Sequence, residues 1–556
     1  MSVRRARLPT SALALALASL AVFATTTIAA TPRARADGSP FASLRPSYSN
    51  ETAKALAHFR ARRYAEALRA AEGSTEVAAQ FVRARALLAL KRYDEAAPIL
   101  RTLATKEPLL AEHFLARAAR ATLNAGDAEG ALRDALQVKE ETPVLMEGVL
   151  VAADAASTLG RHAEAKTHAE RFLEKWPTAG GAAAALWILA RAHDAAGSRK
   201  AATLARRRIA AEFPGSPLAS KVGEQALSTA QLLGRAEKLV SMHRNQRATG
   251  ELQKVLRKKL DKEQRCKASY LLGAANQRLR RHKAAFAAFR KASVACKGEK
   301  LGARVLYLWG KGLLNGRGAT AAARILERLA STYPGHRLAD DALVLASLGW
   351  KRSGNLRKAR ASLERLLRDE NKGDMAAKAR FDLARLEAAS GDVDAATKRL
   401  LAMATEDAYP DDAYLRGRPL YELGKLERKR GAKGRAHAAW QRCVKEHPHT
   451  FWATLARGHL RAAGVATGDD EAAPLGAPTP DAMTWPAFPE ALTSSRAFAR
   501  AAALIRIGAG DLAGGDVKLA AKDAGSTADA RAALSLLYYF AGDWHRSHRI
   551  IRWKMK

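Results

Sequence analysis

LYELGKLERKRGAKGRAHAAWQRCVKEHPHTFWATLARGHLRAAG, the stretch from Leu420 to Gly464, reads as a complete helical hairpin followed by the first helix of another. Leu420, Leu423 and Leu426 share one helical face. Gly431 to Gly434 breaks that helix, and Ala436 to Val444 begins the next. Pro448 closes it, and Thr450 to Leu460 begins a third helix. Glycine and proline each remove the helical option locally, so their placement punctuates the chain.

The same punctuation recurs upstream. A small residue opening a second helix precedes a closing proline by 12 positions in Ala96–Pro108, Ala131–Pro143, Ala165–Pro177 and Ala202–Pro214, and again in Ala322–Pro334 and Ala436–Pro448. The first four prolines follow one another after 35, 34 and 37 residues. Gly354, Gly391 and Gly431 mark later turns, and Ser269 to Ala295 is a hairpin without the closing proline. Alanine lets two helices approach closely, and proline cannot continue a helix. The pattern resembles tetratricopeptide repeats, whose period is about 34 residues. The resemblance implies an all-α fold, an α-solenoid or superhelix of tetratricopeptide-like hairpins. No run of alternating β-branched residues argues for a strand.

Composition bounds what such a chain does. Its 556 residues are 48% hydrophobic and 27% charged, with a net charge of +38. Arg4, Arg5 and Arg7, the apolar stretch Ala12 to Ala24, and Ala34-Arg35-Ala36 together read as a secretory leader cleaved after Ala36, with Ala29 as an earlier option. An uncleaved anchor is the alternative. No later run reaches the ~20 apolar residues that span a bilayer. The expectation is therefore an exported, periplasmic and soluble protein without a transmembrane segment in its mature form. Export argues against a nucleic-acid partner despite the charge. The basic residues spread along most helices, with denser runs at Arg244–Lys267 and Lys425–Arg435. They read either as a solvated face or as attraction to an anionic envelope polymer.

Five segments are expected: the leader 1–36, a flexible stretch 37–50, the superhelix 51–465, a Pro-rich linker 466–494 anchored by Trp485 and Phe488, and C-terminal hairpins 495–556. The last reach Lys556 without a capping element. Cys266 and Cys296 lie near opposite ends of one hairpin, and antiparallel packing would set them side by side. An oxidising compartment would permit a disulfide there; the alternative is two separate buried thiols. Cys443 has no partner in sequence.

Catalytic chemistry is not evident. His545 and His548 share a helix face without a third ligand, so no metal site is expected. Gly310-Lys311 lacks the first glycine of a phosphate-binding loop, since Val305 stands there. Gly508-Ala509-Gly510 reads as a turn and calls for no cofactor. Asp340-Asp341 and Asp411-Asp412 each open a helix after a proline-containing turn, where carboxylates favour free amides.

Around the opening stretch a second resemblance emerges. Tyr421, Leu423 and Leu426, Gly431, Ala436, Ala439-Trp440-Gln441, Pro448, Phe451-Trp452, Leu455-Ala456 and Leu460 are similar to the superhelical, non-catalytic region of soluble lytic murein transglycosylases. Leu536 to Arg549 also fits, and residues 414–552 carry the likeness. In that family a lysozyme-like module with a catalytic Glu-Ser follows, and this sequence contains no Glu-Ser dipeptide. The resemblance implies a scaffold that holds cell-wall glycan or envelope proteins. A general envelope interaction scaffold and a transglycosylase lacking its catalytic module are the alternatives.

Overall fold

The computed structural model describes residues 44–554 except 46, 140–141, 224, 317, 370–372, 407–414, 468–487 and 523, with side chains up to Ile551. The cleavage position Ala36, Asp411-Asp412, Trp485 and most of the Pro-rich segment lie outside the described residues. Among the described residues helices are the only regular elements.

One local rule builds most of the hairpins. The first helix ends where a residue takes a left-handed conformation, and the next amide reaches back to a carbonyl five residues earlier. Gly354, Gly391 and Gly431 do this with φ of 78°, 89° and 83°. The bonds are Asn355 N to Trp350 O, Asp392 N to Glu387 O and Ala432 N to Glu427 O, at 2.9–3.0 Å. This closure satisfies carbonyls that a helix end leaves unpaired. Arg62, Lys91, His243 and Arg280 occupy the same position with φ of 58–61° although they carry side chains.

The second helix ends by another device. Glu107, Trp176, Phe213, Tyr333 and His447 each precede a proline and sit at φ between −125° and −135°. Proline forbids the residue before it from staying helical. Pro143 departs from the expected pattern, because the helix Ala128–Leu136 stops well before it. Val138 there packs against Gly148, where a Cβ would approach to 2.9 Å.

Close crossing explains the small residues. Ala96, Ala131, Ala165, Ala202, Ala322 and Ala436 are all fully buried. On the opposing helix, Gly424 leaves room for the Trp440 indole, which would lie 2.3 Å from an added Cβ. Gly310 makes the same room for Leu326, so Gly310-Lys311 belongs to a packed helix and no phosphate loop.

The chain divides into two compact units. One comprises Ala152–Ala482, the other the residues up to Val151 together with those from Met483 onward. The continuous unit is a succession of hairpins with small local cores, such as Leu420, Tyr421, Ala436, Trp440, Ala456 and Leu460. The discontinuous unit has one larger core. Phe81, Leu100, Leu103 and Phe114 pack with Ala501, Leu504, Ile505, Val517 and Leu537. Compactness groups the helices beyond 495 with the first hairpins. The physical reason is the apolar stripe of the helix Arg496–Arg506, which Phe81 and its neighbours cover.

Candidate partner-binding cleft

The discontinuous unit holds an open cleft of about 1310 Å³. One wall comes from the first hairpin, Asn50–Arg60 and Tyr64–Ala70, and bears Phe59 and Tyr64 with ring centroids 5.5 Å apart. The other comes from the turn between the helices Ala528–Phe540 and Trp544–Lys554. It bears Tyr539, Phe540 and Trp544, which are 57%, 38% and 69% exposed. Such exposure is unusual for three large aromatics placed together, and contiguous exposed apolar surface marks interaction sites. Gly508, Gly510 and Gly514 line the floor. Gly508 lies against Leu56 at φ of 76°, where a side chain would clash at 2.4 Å. Gly508 and Gly510 therefore form the turn read from the sequence.

The walls are held by polar contacts between first and last helices. Ser47 N donates to Arg506 O at 3.0 Å, and Arg85 Nη1 donates to Asp511 Oδ1 at 3.1 Å. Arg85 also covers the Phe59 ring at 4.4 Å. Below them His113, Arg500 and Asp516 form a buried cluster. His113 Nε2 lies 2.8 Å from Asp516 Oδ2, and Arg500 Nε donates to Asp516 Oδ1 at 2.6 Å. The cleft itself offers the Arg62 guanidinium, which has no ion-pair partner among the described residues, and the exposed His545 imidazole.

The residues singled out in sequence fall elsewhere. Cys266 and Cys296 are joined, with Cα atoms 4.8 Å apart, and their sulfurs pack with Phe289 and Val305. Cys443 is buried, its Sγ 3.3 Å from Gly417 O, and burial pushes the thiol up to about 12. A group so hard to ionise is a poor nucleophile. Asp340 and Asp341 lie in the first turn of Ala339–Arg352, as read. Burial raises both carboxyls above their usual range, with the nearby Asp374 adding to it. His545 and His548 are both exposed. No group of three metal-ligating side chains occurs among the described residues, and none of their helices is long and apolar enough to cross a membrane.

Some cations of the two basic runs are ion-paired. Lys267 pairs with Glu237 at 2.8 Å and Lys262 with Glu299 at 3.1 Å. Arg435 pairs at 2.9 Å with Glu427, whose side chain is buried, and Arg430 with Asp394 at 3.0 Å. Sequence reasoning missed the cleft. The aromatic run Tyr538-Tyr539-Phe540 with Trp544 was the available signal, but its facing wall lies at Phe59 and Tyr64.

The opening stretch proves to be an aromatic core. Trp440 donates its Nε1–H to Tyr421 O at 3.1 Å and stacks on His459 with centroids 4.5 Å apart. Arg418 sits over Phe381 at 4.1 Å and over Trp452 at 5.2 Å. Phe488, at the edge of the Pro-rich segment, packs edge-on against Phe498 at 5.8 Å.

A family model described as a tetratricopeptide repeat-like domain matches residues 311–454. No curated protein matches the chain. Among solved structures, the crystal structure of yeast Tom70 is similar at 12% identity, over 74% of this chain and 95% of that one, with a TM-score of 0.28. The fold is all-α, of the solenoid class built from tetratricopeptide-like hairpins, and residues 311–454 carry the repeat-like domain.

Proposed function

We propose that this chain is an exported tetratricopeptide-like scaffold whose cleft at Phe59, Tyr64, Tyr539 and Trp544 holds an extended segment of an envelope protein. The observation that carries the reading is the set of exposed aromatics facing a second aromatic pair, with the Arg62 guanidinium beside them. Tyrosine and tryptophan supply large contact area at little entropic cost, and such residues dominate interface energies. Arg62 favours a segment that carries acidic residues and speeds its encounter. Helical walls pre-form the groove, which spares the binding step an ordering cost. Export rests on the leader-like residues 1–36 with cleavage at Ala36, and it supplies the oxidising surroundings that a Cys266–Cys296 disulfide requires. The test selects short random peptides on the purified mature chain. Trp544→Ala with Tyr539→Ala should lower the affinity of selected peptides at least about tenfold while leaving the melting temperature unchanged. Undiminished binding by that variant would sink the cleft as the site.

A second reading draws on the similarity of residues 414–552 to the non-catalytic region of lytic transglycosylases. There the scaffold would hold peptidoglycan, aided by its net charge of +38. Salt-sensitive retention of the mature chain on purified sacculi supports it, and absence of retention removes it. We expect no muropeptide release; anhydro-muropeptide products would overturn that expectation.

A further inference from the structure

The side chains that line the aromatic cleft carry unused hydrogen-bond donors. Tyr48, Tyr64 and Tyr539 contribute phenols and Trp544 an indole N–H, and none of the four makes a hydrogen bond among the described residues. Arg62, exposed at the turn of the first hairpin, adds a guanidinium without an ion-pair partner there. The acceptors of the lining are largely engaged. Asp511 receives Arg85 at 3.1 Å and Asp543 receives Arg546 at 3.0 Å, while Gly508 O accepts from Arg60 Nη2 at 3.4 Å. Indole and guanidinium only donate, and each phenol can donate. The groups left over favour a ligand rich in acceptors and poor in donors.

Proline-rich chain has that imbalance. Each proline lacks an N–H but keeps its carbonyl. In the polyproline II helix no carbonyl is bonded within the segment, so all of them are open to donors such as these. An extended segment without proline brings one N–H per residue and meets few free acceptors here, and an α-helix satisfies most of its own carbonyls. The pyrrolidine rings suit the other half of the lining, since Phe59, Tyr64, Tyr539, Phe540 and Trp544 supply aromatic carbon. Aromatic-lined grooves take such segments because their conformation is set before binding, which cuts the ordering cost. The cleft, at about 1310 Å³, is larger than pockets for small organic ligands, so a chain segment suits it better than a metabolite.

We propose, resting on the cleft as the partner site, that the segment it holds is proline-rich and in the polyproline II conformation, with an acidic residue set against Arg62.

Two libraries of short random peptides are selected on the purified mature chain, one with proline fixed at every third position and one without proline. Binders are expected from the proline library, with Asp or Glu enriched at one position. Replacing their prolines with alanine should weaken binding at least about tenfold. Tyr64→Phe with Tyr539→Phe keeps both rings and removes two donors, so binding should fall about fivefold while the melting temperature holds. Arg62→Gln should erase the preference for an acidic residue. Binders drawn equally from the proline-free library, yet lost with Trp544→Ala and Tyr539→Ala, would overturn the choice of proline and leave the cleft in place. Full affinity of the phenylalanine variant would overturn it too, because the donors would then be idle. Binders untouched by the alanine double variant, or none from either library, would overturn the cleft along with it.

Discussion

His113 and Asp516 stand 403 positions apart in sequence, yet the imidazole Nε2 and the carboxylate Oδ2 are 2.8 Å from each other with both side chains sealed from solvent. Arg500 completes the set from the neighbouring helix at 2.6 Å. The cluster fixes the last helices on the first.

Asp516→Ala should therefore be severe. It takes the carboxylate away from both His113 and the Arg500 guanidinium, whose side chain is 4% exposed. Breaking one partner of a buried pair costs about 3–5 kcal/mol. Denaturant unfolding of the variant should show the discontinuous unit losing stability by that amount. A loss below about 1 kcal/mol would mean that water reaches the site and that the cluster is no anchor.

Gly424 and Gly434 sit in consecutive helices of one hairpin but should answer oppositely to alanine. At Gly424 the new methyl meets the Trp440 indole at 2.3 Å, and overpacking of this kind costs about 1–3 kcal/mol. At Gly434 nothing lies within 4 Å, so Gly434→Ala should stabilise by roughly 0.5–1 kcal/mol through backbone entropy. Thermal melts of the two variants check the contrast.

Cys266 and Cys296 close a loop across a sequence separation of 30 residues. Chain-entropy estimates give about 3–4 kcal/mol for a loop of that size. The double Cys→Ser variant should lose stability in the unit that contains the hairpin, and reducing agent should lower the wild-type melting point without affecting the variant. A wild-type melting point insensitive to reductant would argue for two separate thiols.

Burial, with Arg428 and Lys425 beside it, holds His459 below the ordinary imidazole range. As pH falls through about 6.5, the unfolded chain takes up this proton before the folded one does. The stability His459 contributes is thus complete above that value and lost as pH drops toward its folded value. His459→Phe keeps an aromatic ring on Trp440 and should lose less stability than wild type between neutral and mildly acidic pH. Identical losses would remove His459 as the cause.

Much of the architecture was legible because it depends on local chemistry. Proline after Trp176, Phe213, Tyr333 and His447 ends a helix whatever surrounds it, and buried alanines at the crossings follow from spacing alone. Turns at Arg62, Lys91 and His243 carry no glycine to mark them, whereas the one at Arg280 follows from the hairpin that brings Cys266 and Cys296 together. Left-handed geometry costs an ordinary residue about 1–2 kcal/mol, which the surrounding hairpin offsets. The cleft was illegible for a different reason. Asp516 reads as a surface carboxylate on a short helix, and only its union with His113 reveals that the first and last helices share a core. The Cys266–Cys296 juxtaposition lay between these cases, because hairpin geometry suggested it but left separate thiols open.

The interrupted core also dictates an order of events during synthesis. Phe81, Leu100 and Phe114 leave the ribosome long before Leu504 and Leu537, which cover them, have been made. The intervening unit needs only its own continuous stretch, so it is free to fold while the first hairpins wait with their apolar faces bare. A nascent chain of this design needs shielding for its leading segment, and it acquires its aromatic cleft as one of the last steps of maturation.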